Sequence, residues 1–266
     1  MDIIKRNFFR LLRSGALNEF EELEPMSNFK WNRLLLMVKA QDVTEIALRG
    51  IKNHQFDELV HIPDELIRAL SETPPASTQQ DNPRLSNPLF NHRLDRIQKN
   101  ERHEMDASID TLTLLNFIVH NVSCMLNKGI SLKGILDMGR FLRLRGDKVD
   151  FVKLENWLDT LHLRSFAQLE GSILITVFNF EQDEIPFVSR IDKAAYRLTM
   201  RSVNHLAIDT AQEWHFRQLR SGFVSNNSSV LRKNLRRSIR YAPYAPIETT
   251  SNFIHNFARS LSEIEE

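Results

Sequence analysis

Apolar residues recur at helical spacing over most of the 266-residue chain, and this recurrence constrains the fold more than any other feature. The strongest stripe runs from Leu115 to Leu126 and stops at Gly129, a residue type that ends many helices. Glycine is scarce, with eight in the chain, so tight turns and phosphate-cradling loops have few places to form. The pattern predicts a mostly α protein, a multi-helix orthogonal or bundle-like assembly with little or no sheet.

Local signals predict the boundaries of individual helices. Asp42 followed by Glu45 is a capping pattern, and Asp150 is a candidate cap for a later helix. The run 173–180 has strand-like propensity, but it continues a helical pattern without a turn signal. We therefore expect it to be helical.

Composition divides the chain into three parts. Residues 71–86 contain three prolines and almost no apolar side chain, so they cannot gain order by burial. They are predicted to form a linker or surface loop between an N-terminal helical segment, 1–70, and a helical domain, 87–266.

Charge and cysteine content exclude several classes of function. The 35 Lys and Arg nearly balance the 34 Asp and Glu, so the global charge gives no strong nucleic-acid signal. The single Cys124 excludes an internal disulfide and a cysteine zinc site, and it suits a reducing compartment. No run approaches the roughly 18 apolar residues of a membrane span. We expect a cytoplasmic protein without a cofactor or a metal.

The block 117–151 is the most distinctive stretch of the chain. Its distinguishing residues are His120, the pair Gly129-Ile130, Leu132, Asp137 and the triplet Val149-Asp150-Phe151. The N-terminal residues that accompany them are the run Phe8 to Gly15, Trp31 and the run Ala40 to Thr44. Together they resemble the leading and C-terminal helices of the uncharacterised bacterial nucleotidyltransferase family, of the polymerase-β-like superfamily.

The resemblance implies a catalytic core that the sequence lacks. In this family the core lies between the leading helices and a segment like 87–91, where this chain has only the linker 71–86. Such a core needs a Gly-Ser turn and two carboxylates one residue apart on a strand, which bind Mg²⁺. Glu181 and Asp183 have the required spacing of the two carboxylates, but no Gly-Ser turn precedes them. The expected protein is a relative without catalytic residues, a pseudoenzyme.

Three positions in the block match the family motif and have an open role: His120, Lys133 and Asp137. The family often has a second histidine where this chain has Cys124, and usually an arginine where it has Lys133. A hydrogen bond between helices is the favoured interpretation for His120 and Asp137, and a ligand role is the alternative.

A basic cluster lies near the C-terminus, on a predicted helix ended by prolines. Its members are Arg232, Lys233, Arg236, Arg237 and Arg240. The favoured interpretation is a solvated face, with the opposite side packed on the domain through Leu231, Leu235 and Ile239. The alternative is binding to an anionic partner, either nucleic acid or a membrane.

Three hypotheses for function follow. The first is a non-catalytic interaction or regulatory module whose partner is a protein, for example an intact paralogue. The second is an active nucleotidyltransferase with a rearranged metal site. The third is an anionic-surface binder that uses the basic helix 231–240.

Overall fold

A computed structural model describes residues 2–57, 60–72, 83–103, 108–204, 216–218, 224–226 and 228–262, with side chains described at 2–204 and 234–257 of these ranges. The helices are α1 Ile3–Leu17, α2 Asn28–Ala40, α3 Thr44–Asn53, α4 Asp64–Ser71, α5 Pro88–His103, α6 Ile109–Asn127, α7 Leu132–Arg145, α8 Phe151–Thr160, α9 Arg164–Phe178, α10 Ala195–Asn204, α11 Ser228–Tyr241 and α12 Pro246–Ser262. Two short strands, β1 Phe216–Gln218 and β2 Val224–Asn226, pair antiparallel with Phe216 opposite Asn226. The predicted mostly α fold is confirmed.

The chain forms two compact units, each built from separate stretches of sequence. Unit 1 consists of Met1–Asp81, Ser131–Asp147 and Glu170–Ile208, and unit 2 of Asn82–Ile130, Lys148–Leu169 and Asp209–Glu266. This arrangement differs from the predicted division into 1–70, 71–86 and 87–266. The stretches that contain α7, most of α9 and α10 join the N-terminal helices, because their apolar side chains are buried there.

Unit 1 is organised around the packing of α1 on α3. At the crossing, Gly15 and Gly50 let the two backbones approach each other closely. A Cβ atom on Gly15 would lie 1.9 Å from the carbonyl oxygen of Ile46, and one on Gly50 would lie 2.2 Å from that of Leu11. Other apolar residues of α1 are also buried, among them Phe9, whose ring meets Phe178 edge-on at 5.9 Å. This contact ties the end of α9 to α1.

Unit 2 is organised around α6, which packs on α5, α8 and α11. Of the helices that the structure describes, α6 alone has the length and mean hydropathy, 1.3, that a membrane span needs, and 56% of that stretch is buried inside the protein. Core helices commonly meet the same criteria. The helix ends at Asn127, and Gly129 follows with a φ of 101°, as its sequence predicts.

Two of the three predicted local features are confirmed and one is wrong. Asp150 caps α8, its carboxylate accepting the Lys153 N–H at 2.9 Å, and the run from 173 lies on α9 as far as Phe178. Asp42 does not cap α3. The N-cap is Val43, and Asp42 adopts a left-handed conformation, φ 54°, in the sharp turn from α2 to α3. Asp42 thus lies one residue before the N-cap, the position from which a side chain accepts the first helix amides.

The C-terminal end of the predicted linker or loop contacts unit 2. The central part of the linker, 73–82, lies outside the described residues. Leu85 is buried, and the side chain of Glu248 on α12 accepts the backbone N–H groups of Ser86 and Asn87. Residues 83–86 are therefore a packed part of unit 2, because one apolar side chain and a carboxylate acceptor fix them.

Candidate functional site

The candidate site is a cleft of about 260 Å³ within unit 1. It is lined by the N-terminal end of α3, the C-terminal end of α4 and one side of α7. Its charged lining residues are Asp42, Glu45, Arg49, Lys133, Asp137 and Arg140. Two of the three family-motif positions thus meet at one cleft.

Helix α7 brings three of these side chains into the cleft. Lys133, Asp137 and Arg140 are separated by four and three residues, so they share one face of the helix. The start of α7 is fixed by Ser131, whose Oγ accepts the Gly134 N–H at 3.2 Å. Its opposite face is held close to α9 at Gly139, where a Cβ atom would come within 2.7 Å of Leu174. The face that lines the cleft is set by this packing.

The α3 side of the cleft supplies backbone donors. The N-cap residue Val43 has no side-chain oxygen that could accept a helix amide. The first backbone hydrogen bond of α3 runs from the Ala47 N–H to the Val43 carbonyl, at 2.9 Å. The N–H groups of Thr44, Glu45 and Ile46 have no acceptor among the described residues. Unpaired amides at a helix start give that end a partial positive charge.

Two cations of the cleft are available for binding. Neither Lys133 nor Arg140 forms an ion pair with a residue that the structure describes. Arg49 reaches the Gly15 carbonyl at 3.4 Å, which is long for a hydrogen bond. The cleft therefore has cationic side chains whose donors are not fully used.

Four other arginines of unit 1 form ion pairs with carboxylates. Arg6 lies 2.6 Å from Glu24, and Arg10 is 2.9 Å from the same carboxylate. Arg13 pairs with Glu21, and Arg143 on α7 pairs with Glu184 at 2.9 Å and also contacts Glu19. The hydrogen bond from Arg6 lowers the pKa of Glu24 to about 2. These four arginines are ion-paired, in contrast to Lys133 and Arg140.

The third motif position, His120, lies on α6 in unit 2. Its Nε2 is 3.4 Å from the Sγ of Cys124, one turn along the same helix. His120 is not among the residues that line the cleft of unit 1, where Lys133 and Asp137 lie. Cys124, which stands where the resembled family often has a second histidine, is its immediate neighbour.

Glu181, one member of the carboxylate pair Glu181 and Asp183, has a local structural role. Glu181 caps the short 3₁₀ helix Gln182–Glu184, and its own N–H is accepted by the Glu184 carboxylate at 2.8 Å. The described parts of the chain contain no group of three or more His, Cys, Asp or Glu placed to hold a metal. The two described strands, FRQ and VSN, carry no carboxylate.

The basic helix α11 is oriented differently from the prediction. Leu235 and Ile239 are exposed, whereas Arg237 is buried and donates to the carbonyl oxygen of Asn127, the last residue of α6. The expected packing of Leu235 and Ile239 is therefore wrong, and Arg237 is not a surface cation. A guanidinium satisfies an otherwise unpaired carbonyl at a helix end, which an apolar side chain cannot do.

The remaining members of the cluster divide into two groups. Arg236 and Arg240 form no ion pair with any described residue and have solvent access. The side chains of Leu231, Arg232 and Lys233 lie outside the described part.

Sequence reasoning missed Arg140, Arg49 and the α3 amides. Arg140 has a usable signal, since it lies on the helical face that Lys133 and Asp137 already define. The contribution of α3 has no signal in the sequence, because it depends on which helix packs beside α7.

No protein-family model, no curated protein and no solved structure matches this chain.

Proposed function

We propose that this protein is a non-catalytic, nucleotidyltransferase-related helical module that acts in interaction or regulation. Its binding site is the cleft of unit 1, which takes a small anionic group, carboxylate or phosphate, carried by a protein partner. The observation that supports this most directly is the pair Lys133 and Arg140, two cleft cations with no ion pair among the described residues.

The size of the cleft favours a side-chain-sized group over a nucleotide. Sites for small molecules usually have roughly 300–1,000 Å³. At about 260 Å³ the cleft is smaller than that range. A carboxylate or phosphate on a partner's surface fits, and the rest of the partner then lies outside it. An intact paralogue of the same family is one such partner.

The mixture of charges also favours binding over metal-dependent transfer. Asp42, Glu45 and Asp137 come from the α2–α3 turn, α3 and α7, and cations lie among them. Mg²⁺ sites for phosphoryl transfer collect carboxylates that share the metals. Here each carboxylate has a cation in the same cleft, so the local charge is balanced. Such a balance lacks the excess of carboxylates that a Mg²⁺ site needs, which disfavours metal-dependent transfer.

Titration of the full chain with inorganic phosphate, with acetate and with Mg²⁺-ATP tests the proposal by NMR shifts or calorimetry. We expect phosphate and acetate to bind in the cleft independently of Mg²⁺. Lys133→Gln and Arg140→Gln should each weaken binding about tenfold, about 1.4 kcal/mol. The matched controls Lys52→Gln and Arg33→Gln change exposed cations of unit 1 that do not line the cleft, and should have no effect.

Two results would contradict the proposal. The first is equal loss of phosphate binding in the controls and the cleft variants, which would indicate diffuse attraction to surface charge. The second is micromolar nucleotide binding that requires Mg²⁺ and is abolished by Glu181→Ala with Asp183→Ala. That result would favour the active nucleotidyltransferase with a rearranged metal site.

A further inference from the structure

Apart from the buried Tyr241 at the end of α11, the described side chains of the α11–α12 hairpin in unit 2 include buried polar residues and exposed apolar ones. On α11 the buried polar residue is Arg237, at 2% exposure. On α12 the buried polar residues are Glu248, Thr249 and Asn252. A helix that packs only to hide apolar surface has the opposite arrangement.

Hydrogen bonds fix which side of each helix faces inward. Arg237 donates to the carbonyl of Asn127, and Asn256 on α12 donates to the Asn127 side chain at 3.0 Å. Both helices therefore present one side to the same residue at the end of α6. Glu248 further fixes α12 by accepting the N–H groups before α5.

The opposite sides of both helices are apolar and open to solvent. Leu235 and Ile239 lie about half a turn from Arg237, with exposures of 44% and 64%. On α12, Ile247 and Ile254 lie about half a turn from Asn256, with exposures of 47% and 59%. Because the inner sides meet the same residue, these four side chains form the outer face of the hairpin. Leaving them in water forgoes the burial energy of four aliphatic side chains.

The outer face lies beside a concentration of positive charge. Arg236 and Arg240 follow Leu235 and Ile239 directly in sequence, and neither has an ion-pair partner in the described part of the chain. Between positions 228 and 262 the sequence has six Lys or Arg, of which Arg237 is buried, and one carboxylate, Glu248, which is also buried; Glu263, Glu265 and Glu266 follow this stretch in the sequence. The whole chain is nearly neutral, with 35 cations and 34 anions, so this segment concentrates charge of one sign.

We propose that the outer face of the α11–α12 hairpin docks on an anionic lipid bilayer, with both helices lying in the plane of the interface. Exposed Leu and Ile next to Arg are the two features that interfacial helices combine. The acyl region accepts Leu235, Ile239, Ile247 and Ile254, and the headgroups neutralise Arg236 and Arg240.

The same observations disfavour the other occupants. Nucleic acid would pair with the arginines but would leave the four aliphatic side chains in water. It therefore explains the charge of the outer face but not its exposed apolar side chains. A second copy of the chain covers the aliphatic side chains but opposes like charges, which costs affinity. A bilayer of anionic lipids satisfies both halves.

Co-sedimentation of the full chain with vesicles tests this docking. The probes are vesicles of phosphatidylcholine alone and of phosphatidylcholine with phosphatidylserine. We expect binding to the anionic vesicles only, weakening as ionic strength rises. Each cation near an anionic surface contributes about fivefold, so Arg236→Glu with Arg240→Glu should weaken binding by more than about twentyfold. Ile239→Ser and Ile254→Ser should each weaken it about tenfold at unchanged charge.

Matched controls come from other elements of unit 2. Arg96→Glu on α5 reverses an exposed cation, and Val152→Ser on α8 replaces an exposed β-branched residue. Both should bind like the parent protein. All substituted side chains are solvent-accessible, so thermal melting should stay unchanged, which confirms that losses of binding are not losses of fold.

Three results would overturn the docking proposal. One is no binding to anionic vesicles. Another is binding that the arginine variants lose and the isoleucine variants keep, which identifies a polyanion such as nucleic acid. The third is a dimer in sedimentation equilibrium that Ile239→Ser and Ile254→Ser dissociate, which identifies a second copy as the occupant.

Discussion

At the residue scale, single atoms at close contacts decide stability. The crossing of α1 and α3 leaves no space for a side chain at Gly15, because the Ile46 carbonyl oxygen lies 1.9 Å from the Cβ position. Gly146 follows α7 with φ −58°, and a Cβ there meets nothing within 4 Å. The two positions therefore form a natural pair for comparison.

Gly15→Ala should lower the free energy of unfolding by about 1–3 kcal/mol or more, because the helices must separate to admit the methyl group. Gly146→Ala should be neutral or raise it by about 0.4–1 kcal/mol, through the entropy of the unfolded chain. Urea unfolding measures both. Equal effects of the two changes would show that the close crossing of α1 and α3 is not a stability determinant.

Glu24 provides a second prediction at this scale, for pH dependence. Its pKa falls from 4.5 to about 2 in the folded chain because Arg6 donates hydrogen bonds to it. A group with a lowered folded pKa stabilises the protein above its unfolded pKa, and that contribution is lost as pH falls. The melting temperature should therefore decline between pH 4.5 and about 2.

Glu24→Gln should flatten that decline, since the variant lacks the titrating carboxylate. Glu22→Gln is the control, because Glu22 is exposed and has no ion pair among the described residues. If both variants keep the decline in melting temperature that the parent protein shows, other carboxylates govern the loss of stability in acid.

At the element scale, the end of α6 depends on a donor from α11. The carbonyl of Asn127 lies in the last turn of α6, where helical partners are missing, and Arg237 supplies the bond. Arg237→Ala should cost about 1.5–3 kcal/mol, the range for hydrogen bonds to charged groups. Arg236→Ala, one residue away and exposed, should cost about 0.5 kcal/mol or less. Denaturant unfolding of both variants checks this, and a small effect at Arg237 would mean that water replaces the guanidinium.

At the scale of the whole molecule, the two units interleave in sequence. Three prolines and low hydrophobicity make 71–86 the expected site of the first proteolytic cuts, most favourably before the packed residue Leu85. A cut there should not release the N-terminal fragment. Unit 1 combines the N-terminal helices with Ser131–Asp147 and Glu170–Ile208, so non-covalent contacts within unit 1 hold the two fragments together.

The nicked protein should therefore elute as one species and separate only in denaturant. Fragments 1–70 and 87–266, produced separately, should each lack a cooperative unfolding transition that their mixture restores. A fragment 1–70 that folds alone would favour the division predicted from composition. Initial cuts outside 71–86 would contradict the linker prediction itself.

The sequence by itself determined the local features of this protein. Helical spacing of apolar residues predicts the α class, and Asp150 and Gly129 mark a helix start and a helix end. These features are readable because each depends on residues within one or two turns. The same reasoning places Lys133 and Asp137 on one face, and it extends to Arg140.

Only the tertiary structure decided which faces meet. It brought α7 beside α3 to form the cleft, and it paired the arginines of α1 with carboxylates from the segment after it. It also decided that α11 buries Arg237 and exposes Ile239. Periodicity distinguishes the two sides of a helix, but the choice of the buried side depends on what the neighbouring element needs. Here the end of α6 required a hydrogen-bond donor, and this requirement outweighed the burial of two aliphatic side chains.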